Sequence, residues 1–175
     1  MTAVDHRIGD LASHIAEGAL LTDPDVTEGY RRDWARDPDA GQPLAVIRAT
    51  CTDDVRAVMR WASTHRIPVV PRGAGSGLSG GATAVDGGIV LSTELMRRID
   101  VDPVTRIAVV QPGLINADVK RAVAEQGLWY PPDPSSYEMC SIGGNAATNA
   151  GGLCCVKYGV TTDYILGLQV GLADG

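Results

Sequence analysis

The sequence predicts an α+β fold on three observations. A helix-period segment lies between two short apolar runs within residues 44–70. A further apolar run is followed by two alternating segments joined by a turn, the pattern of a hairpin. Two stretches rich in glycine and other small residues interrupt these elements and read as shaped loops.

Taken in order, residues 1–40 read as a helical, partly polar lead-in. Leu11, Ile15, Leu20 and Leu21 suggest one amphipathic stretch, broken by Pro24 and then Pro38. From Leu44, LAVIRA is an apolar run of strand length. Thr52 is the expected N-cap of a helix with Asp53 and Asp54 in its first turn. Val55, Val58, Met59 and Ala62 then recur at helical spacing, and Pro68 to Val70 forms a second strand. This is a small parallel βαβ unit. GIVLS is the next strand, and RIDVD and TRIAVVQ form a hairpin across Asp102–Pro103–Val104. A second helix is expected from about Asn116, with Val119, Ala122 and Val123 on one face and Gly127 as its stop. Residues 131–160 read as irregular. ILGLQVGL reads as a final strand ending on the turn dipeptide Asp174–Gly175. A return strand is expected after that turn, so the fold is expected to be C-terminally incomplete.

The length of 175 residues suits one domain, and a hydrophobic fraction of 45% is ordinary for a globular chain. The departures are 21 glycines and no phenylalanine. Fifteen basic against 21 acidic residues give a net charge of −6, which offers no broad attraction to nucleic acid or to an anionic membrane. An anionic ligand would have to be held by local amide groups. Cys51, Cys140, Cys154 and Cys155 form no CxxC pair, and adjacent cysteines rarely bond each other. They read as reduced thiols of a cytoplasmic protein rather than a disulfide or metal site. His6, His14 and His65 are scattered without metal-ligand spacing. The polar start MTAVDHRIGD is not a signal peptide, and no apolar run approaches the length of a membrane span.

The segment PRGAGSGLSGG follows the strand at Val69–Val70 and contains a literal G-x-G-x-x-G at Gly75, Gly77 and Gly80. A dinucleotide-binding βαβ reading needs a helix to begin inside that motif, with its N-terminus facing a pyrophosphate. Here the motif runs into GATAVDGG and the strand GIVL, a stretch full of breakers. The Rossmann reading, and with it an NAD-dependent enzyme, fails on this context. What remains is a loop of about ten residues, five of them glycine, able to point several N–H groups into one anion-binding concavity. Arg72 beside it either adds charge or is a surface residue. The alternative is a flexible linker, against which Pro71 and Leu78 suggest a shaped loop.

The second segment, YPPDPSSYEMCSIGGNAATNAGGLCCVKYG at 130–159, joins a rigid proline turn to small side chains, two Gly–Gly pairs and the amides Asn145 and Asn149. That composition lets a large flat ligand lie against backbone. The alternative is a long loop covering a sheet edge, and such loops are uncommon in compact domains unless they are functional.

Together these segments resemble the FAD-binding domain of the vanillyl-alcohol-oxidase and p-cresol-methylhydroxylase family. The branch they resemble holds the glycolate oxidase subunit, D-lactate dehydrogenase and D-2-hydroxyglutarate dehydrogenase. The resemblance runs from about Tyr30 to Gly175. It comprises the Tyr30…Asp33 lead-in, CTDDV at a helix start, PRGAGSGLSGG, QPG at 111–113, and DPSS…SIGGNAATNAGG…YG in that order. It implies a PCMH-type fold: a small parallel subdomain over 44–70, then a larger, mainly antiparallel subdomain over 85–175. Both would lie within a domain spanning 41–175, with FAD between them.

The resemblance places the cofactor's pyrophosphate on the backbone of Arg72, Gly73, Ala74, Gly75, Ser76, Gly77 and Leu78, with Ser76 and Ser79 as hydroxyl donors. Asp133, Pro134, Ser135 and Ser136, with Cys140, Ser141, Gly143 and Gly144, would follow the ribityl and phosphate portion, and Pro132 and Asn145 are further cofactor-binding positions. Ala147, Thr148, Asn149, Ala150, Gly151 and Gly152 would lie near the ring system. Some family members attach flavin to a histidine in the first loop. Ser76 stands at that position, and residues 71–81 contain neither histidine nor cysteine, which implies non-covalent FAD.

The resemblance further implies oxidation of a small 2-hydroxy acid by hydride transfer to flavin N5. The substrate carboxylate clamp and base are expected in a later region, so no catalytic residue and no metal ligand is assigned here. Two alternatives stay open: a non-catalytic truncated flavin-binding fragment, and the flavin subunit of a multi-subunit oxidoreductase. An unpaired final strand would favour a homo-oligomer or a partner subunit.

Overall fold

The computed structural model describes residues 3–175, with side chains described from Ile8 onward; Met1, Thr2 and the side chain of His6 lie outside the described residues. The chain divides into two compact units, Met1–Leu95 with Gln169–Gly175, and Met96–Leu168.

In the first unit the lead-in is helical over Ala3–Ala12 (α1), which buries Ile8 and Leu11. Leu20 and Leu21 do not continue this helix. Gly18 turns the chain at φ +73, and Leu20–Leu21 becomes a short strand (β1) antiparallel to Ala45–Arg48 (β2), with Leu20 opposite Ile47 and Leu21 opposite Val46. Backbone pairing therefore outweighs the helical spacing of those two leucines. Pro24 opens a one-turn helix, Pro24–Thr27 (α2), capped by the Asp23 carboxylate.

After β2 the chain forms the helix Thr52–His65 (α3), then Val69–Arg72 (β3) and Ile89–Ser92 (β4). The strand order is β1-β2-β4-β3, with β2, β4 and β3 mutually parallel; Val46 and Val70 each oppose Val90. The expected βαβ unit is present, but β4 takes the place between its two strands. The boundary expected at residue 85 thus falls inside this unit. The central strand explains its composition: β4 is buried at every position, as a strand covered on both faces must be. Pro71 is accommodated because β3 lies at the sheet edge.

Helix α3 starts one residue earlier than expected. Cys51 occupies the cap position without a side-chain bond, and Thr52 is the first helical residue. The Thr52 hydroxyl instead meets Gln169 Oε1 at 3.2 Å. Asp54 fastens the helix start: its carboxylate accepts from Thr50 N at 2.8 Å, Thr50 Oγ1 at 2.6 Å and Ala16 N at 3.2 Å. Val58, Trp61 and Ala62 supply the buried face.

The second unit contains the expected hairpin, Ile99–Asp102 (β5) and Ile107–Val110 (β6), with Ile99 opposite Val110. Asp102 orders the turn by accepting from Val104 N and from both N and Oγ1 of Thr105. This sheet has two strands, smaller than the antiparallel sheet expected. The helix Asn116–Ala124 (α4) buries Val119 and Val123 with Leu114 against Ile99, Val101 and Val110, and Gly127 follows it at φ +69. Two expectations are corrected here. The stretch 131–160 is not wholly irregular: it holds Ile142–Thr148 (α5) and Cys155–Tyr158 (α6). ILGLQVGL is not a strand; it joins no β-ladder, its ends bonding only in local turns through Ile165 N and the Leu172 carbonyl, and Leu166, Leu168, Val170 and Leu172 are exposed. Apolar alternation makes a strand only where a ladder partner stands beside it.

Burial alone would raise the Asp54 pKa, but bonds from the Thr50 side chain and from the Thr50, Ala16 and Cys51 backbones hold it below the usual carboxylate range. Its stabilising contribution is therefore in place above about pH 4 and is lost as pH falls through the lowered folded value. Asp54→Asn is expected to destabilise the chain by about 1–3 kcal/mol at neutral pH, with a smaller deficit at pH 2–3. Equal deficits at both pH values in denaturant titrations would refute this role.

Candidate functional site

Two segments carry the candidate residues, one in each unit.

In the first unit the chain leaves β3 at Arg72, whose carbonyl accepts from Thr93 N at 2.9 Å just past β4. From there to Gly88 it forms bends and turns without a helix. Gly75 and Gly80 adopt φ +69 and +76, left-handed values that favour glycine. Among the described residues, the backbone N–H groups of 73–81 donate to no acceptor in the chain. The next N–H, that of Ala82, bonds to Asp33 Oδ2, and that of Thr83 to the Gly80 carbonyl. Amide donors left unpaired after a parallel strand are the kind of group that can hold an anion. Gly75 is buried and Ser76 half-buried, while Leu78 and Ser79 are exposed.

Arg72 is not simply a surface residue. Its guanidinium lies against Gly75, at the place where a Cβ would stand, donates from Nη1 to the Ala82 carbonyl at 3.3 Å, and sits 5.8 Å from the Tyr30 ring centroid. Burial lowers its pKa, while Asp33, Glu94 and Tyr30 oppose that shift; arginine remains charged. Tyr30 donates to Glu94 Oε1 at 2.7 Å, and burial followed by that bond raises its pKa.

In the second unit Pro132 and Pro134 are buried and Ser135 is exposed. The Ser136 carbonyl accepts from Met139 N and Cys140 N. Ser141 caps α5, its Oγ accepting from Gly144 N at 3.4 Å. Asn149 ends α5 in the left-handed region and accepts from Thr162 N at 3.0 Å and Thr162 Oγ1 at 2.6 Å. The Ala150 carbonyl accepts from Thr161 N and Oγ1. Two of the glycines serve the chain's own packing. A Cβ on Gly143 would stand 2.6 Å from Pro112 Cβ, and one on Gly152 would collide with the Asp133 carbonyl. The Asp133 carboxylate is itself engaged with Cys154 N at 3.2 Å. Ala147, Thr148 and Gly151 are exposed.

Asn145 is 2% exposed and its Nδ2 has no partner. Sequence reading missed Asn116, fully buried on α4 with neither Nδ2 nor Oδ1 paired. An amide in an otherwise apolar face was its one sequence signal. Unpaired buried polar atoms cost about 1–3 kcal/mol each, and these amide atoms have almost no exposed surface. Lys120, also missed, donates to the Tyr130 carbonyl at 2.9 Å and the Pro131 carbonyl at 3.4 Å, tethering the proline turn to α4. Burial lowers its pKa against the opposing pull of Asp133. All four cysteines are free. Among the described residues no group of three or more His, Cys, Asp or Glu side chains is placed to hold a metal ion, and no helix is long and apolar enough to cross a membrane.

In the glycine loop the backbone N–H groups at 73–81 find no acceptor among the described residues, and comparison with known proteins gives the family. The FAD binding domain family matches residues 43–175. The glycolate oxidase subunit GlcD of Bacillus subtilis is 44% identical over 90% of this chain and 32% of its own length. D-2-hydroxyglutarate dehydrogenase of Xanthomonas citri pv. viticola is 42% identical over 98% of this chain and 36% of its own. The chain thus spans about a third of the length of these relatives. A crystal structure of p-cresol methylhydroxylase with substrate bound superposes with a TM-score of 0.73 at 19% identity, covering 83% of this chain and 29% of that one.

The glycines separate by substitution. Gly152→Ala is expected to lower stability by about 1–3 kcal/mol through overpacking, and Gly75→Val by a similar amount, since a left-handed β-branched residue alone costs about 1–2 kcal/mol. Gly77→Ala, whose Cβ would meet only Asp33 Oδ2 at 3.8 Å, is expected to leave the unfolding midpoint within error. Denaturant titration of the three variants checks this, and a Gly77→Ala loss matching that of Gly152→Ala would contradict it.

Proposed function

The chain belongs to the FAD-binding domain family, and from that premise we propose that it is the flavin-holding part of an oxidoreductase acting on a small 2-hydroxy acid. The carrying observation is the run of unpaired backbone donors at 73–81 following β3. In an acidic chain, those amides and not a field of lysines hold the diphosphate. Gly73, Ala74, Gly75 and Gly77 supply the donors, with Ser76 and Ser79 adding hydroxyls. In the second unit the exposed Ala147, Thr148 and Gly151 offer the cofactor a surface without bulky side chains. Asp133, Gly143 and Gly152 also shape that segment through contacts within the chain.

When bound, the flavin supplies a hydride acceptor for oxidising a CH–OH carbon to a carbonyl. The chain's own residues bind and orient it; none is assigned a catalytic role. The substrate class rests on relatives named for glycolate and for D-2-hydroxyglutarate, both 2-hydroxy acids. The Bacillus relative is named a subunit, which supports a multi-subunit assembly for the intact protein. Four free thiols fit a reducing, cytoplasmic setting.

Titrating the 175-residue chain with FAD is expected to quench flavin fluorescence saturably, and Gly75→Val is expected to abolish the quenching while the chain remains folded by circular dichroism. Unquenched FAD with the folded wild-type chain would refute the flavin reading. Flavin attachment is non-covalent in this proposal, since residues 71–81 contain no histidine or cysteine. Acid precipitation of the loaded protein is expected to release the yellow colour into the supernatant; colour kept in the pellet would refute it. The intact gene product is expected to reduce an artificial dye with glycolate, D-lactate or D-2-hydroxyglutarate.

A further inference from the structure

We propose that Asp33, at the end of the Tyr30…Asp33 lead-in, is a positioning residue for the glycine loop, clamping its exit against its start together with Arg72. This rests on the flavin reading only for what the loop binds.

Asp33 is 4% exposed. Its Oδ1 accepts from Ala35 N at 2.9 Å, which closes an ordinary local turn. Its Oδ2 does something a turn does not require: it accepts from Ala82 N at 3.3 Å, 49 residues along the chain. The Ala82 carbonyl is taken by Arg72 Nη1 at 3.3 Å. Both polar groups of one peptide residue are thus held by side chains of opposite charge. Because Arg72 stands at the start of the loop and Ala82 at its exit, the second bond closes the loop end to end. The carboxylate also underlies the middle of the loop, since Oδ2 lies 3.8 Å from where a Gly77 Cβ would stand. The same lead-in continues the stitching through Ala84, whose N donates to the Arg31 carbonyl at 2.8 Å and whose carbonyl accepts from Gly41 N at 2.8 Å.

The physical need is plain. A loop whose own amides point to a ligand has no internal bonds to hold its shape, so order must come from outside it. A buried carboxylate alone beneath an anion site would repel the anion. Set within the field of Arg72, it presents a nearly neutral base and leaves the amide dipoles to act. Arg72 accordingly braces the loop from below rather than reaching over it to a phosphate.

Asp33→Asn separates this role from general stability. The near-isosteric amide has one acceptor oxygen, so it cannot serve Ala35 N–H and Ala82 N–H together. Asp54→Asn is the control: a buried aspartate of the same unit whose bonds go to Thr50 and Ala16. Three quantities are measured on each chain: the thermal midpoint, protease cleavage within 73–81 without flavin, and the FAD dissociation constant where all variants are folded. Asp33→Asn is expected to speed cleavage and to weaken FAD binding about tenfold. Asp54→Asn is expected to leave both at wild-type values despite a comparable fall in midpoint.

FAD binding by Asp33→Asn equal to wild type, or weakened in both variants in proportion to lost stability, would overturn the proposal. Should Asp33→Asn not fold, Arg72→Lys keeps the charge but loses the guanidinium geometry. Faster flavin-free cleavage within 73–81 is then the supporting result, since a phosphate-contacting arginine would leave it unchanged, and unchanged cleavage overturns the clamp. Loosening of the loop in Asp33→Asn alone, with no FAD bound by the wild-type chain, would uphold the clamp and reject the flavin assignment.

Discussion

A peptide segment whose amide donors make no bonds within the chain must be held in shape by something other than itself, and the loop at 73–81 of the first unit is under that constraint. The loop at 73–81 begins where the parallel ladder of β3 on β4 ends, and the Arg72 carbonyl is pinned by Thr93 N at the sheet edge. Its exit is pinned at Ala82 and Ala84 by a segment that folds back from the lead-in. The buried strand β4 gives the arrangement its rigidity, because both neighbouring strands register on it and every one of its side chains is covered. Gly75 can then be buried with an unsatisfied N–H, a state that would otherwise favour collapse of the loop.

The second unit meets a related demand by another route. Its small residues do not all face outward. Gly143 admits Pro112, Gly152 admits the Asp133 carbonyl, and Asn149 and Ala150 bind the Thr161–Thr162 turn, so much of the run is consumed in packing the chain on itself. What remains exposed is a narrower set, Ala147, Thr148 and Gly151, while Asn145 Nδ2 and the Asn116 amide lie buried without partners. Small residues thus have two physical uses a few positions apart, close approach of backbone to backbone and an unobstructed outer face.

Electrostatics favours dipoles over side-chain charges in the proposed anion site. The net charge is −6, and the nearest arginine is turned beneath the loop. Backbone N–H groups supply partial positive charge at fixed positions without side-chain entropy. Binding through them is less sensitive to salt than binding through a cluster of surface lysines.

Local pattern was enough to read several parts from the sequence. The spacing of Val55, Val58, Met59 and Ala62 marks α3, the alternation around Asp102–Pro103–Val104 marks the hairpin, and the breakers after Gly80 show that no helix opens in the glycine motif. Each of these depends on residues within one turn or one strand length. Tertiary structure alone decided the rest. It inserted β4 between β2 and β3, made a strand of Leu20–Leu21 because Val46 and Ile47 stood opposite, and left residues 165–172 unpaired because nothing did. It also turned Arg72 inward, paired Asp33 with a loop 49 residues away, and stranded Asn116. Periodicity records which face of an element is apolar. Which element meets which, and which polar atom is left without a partner, is set by contacts between residues far apart in the chain.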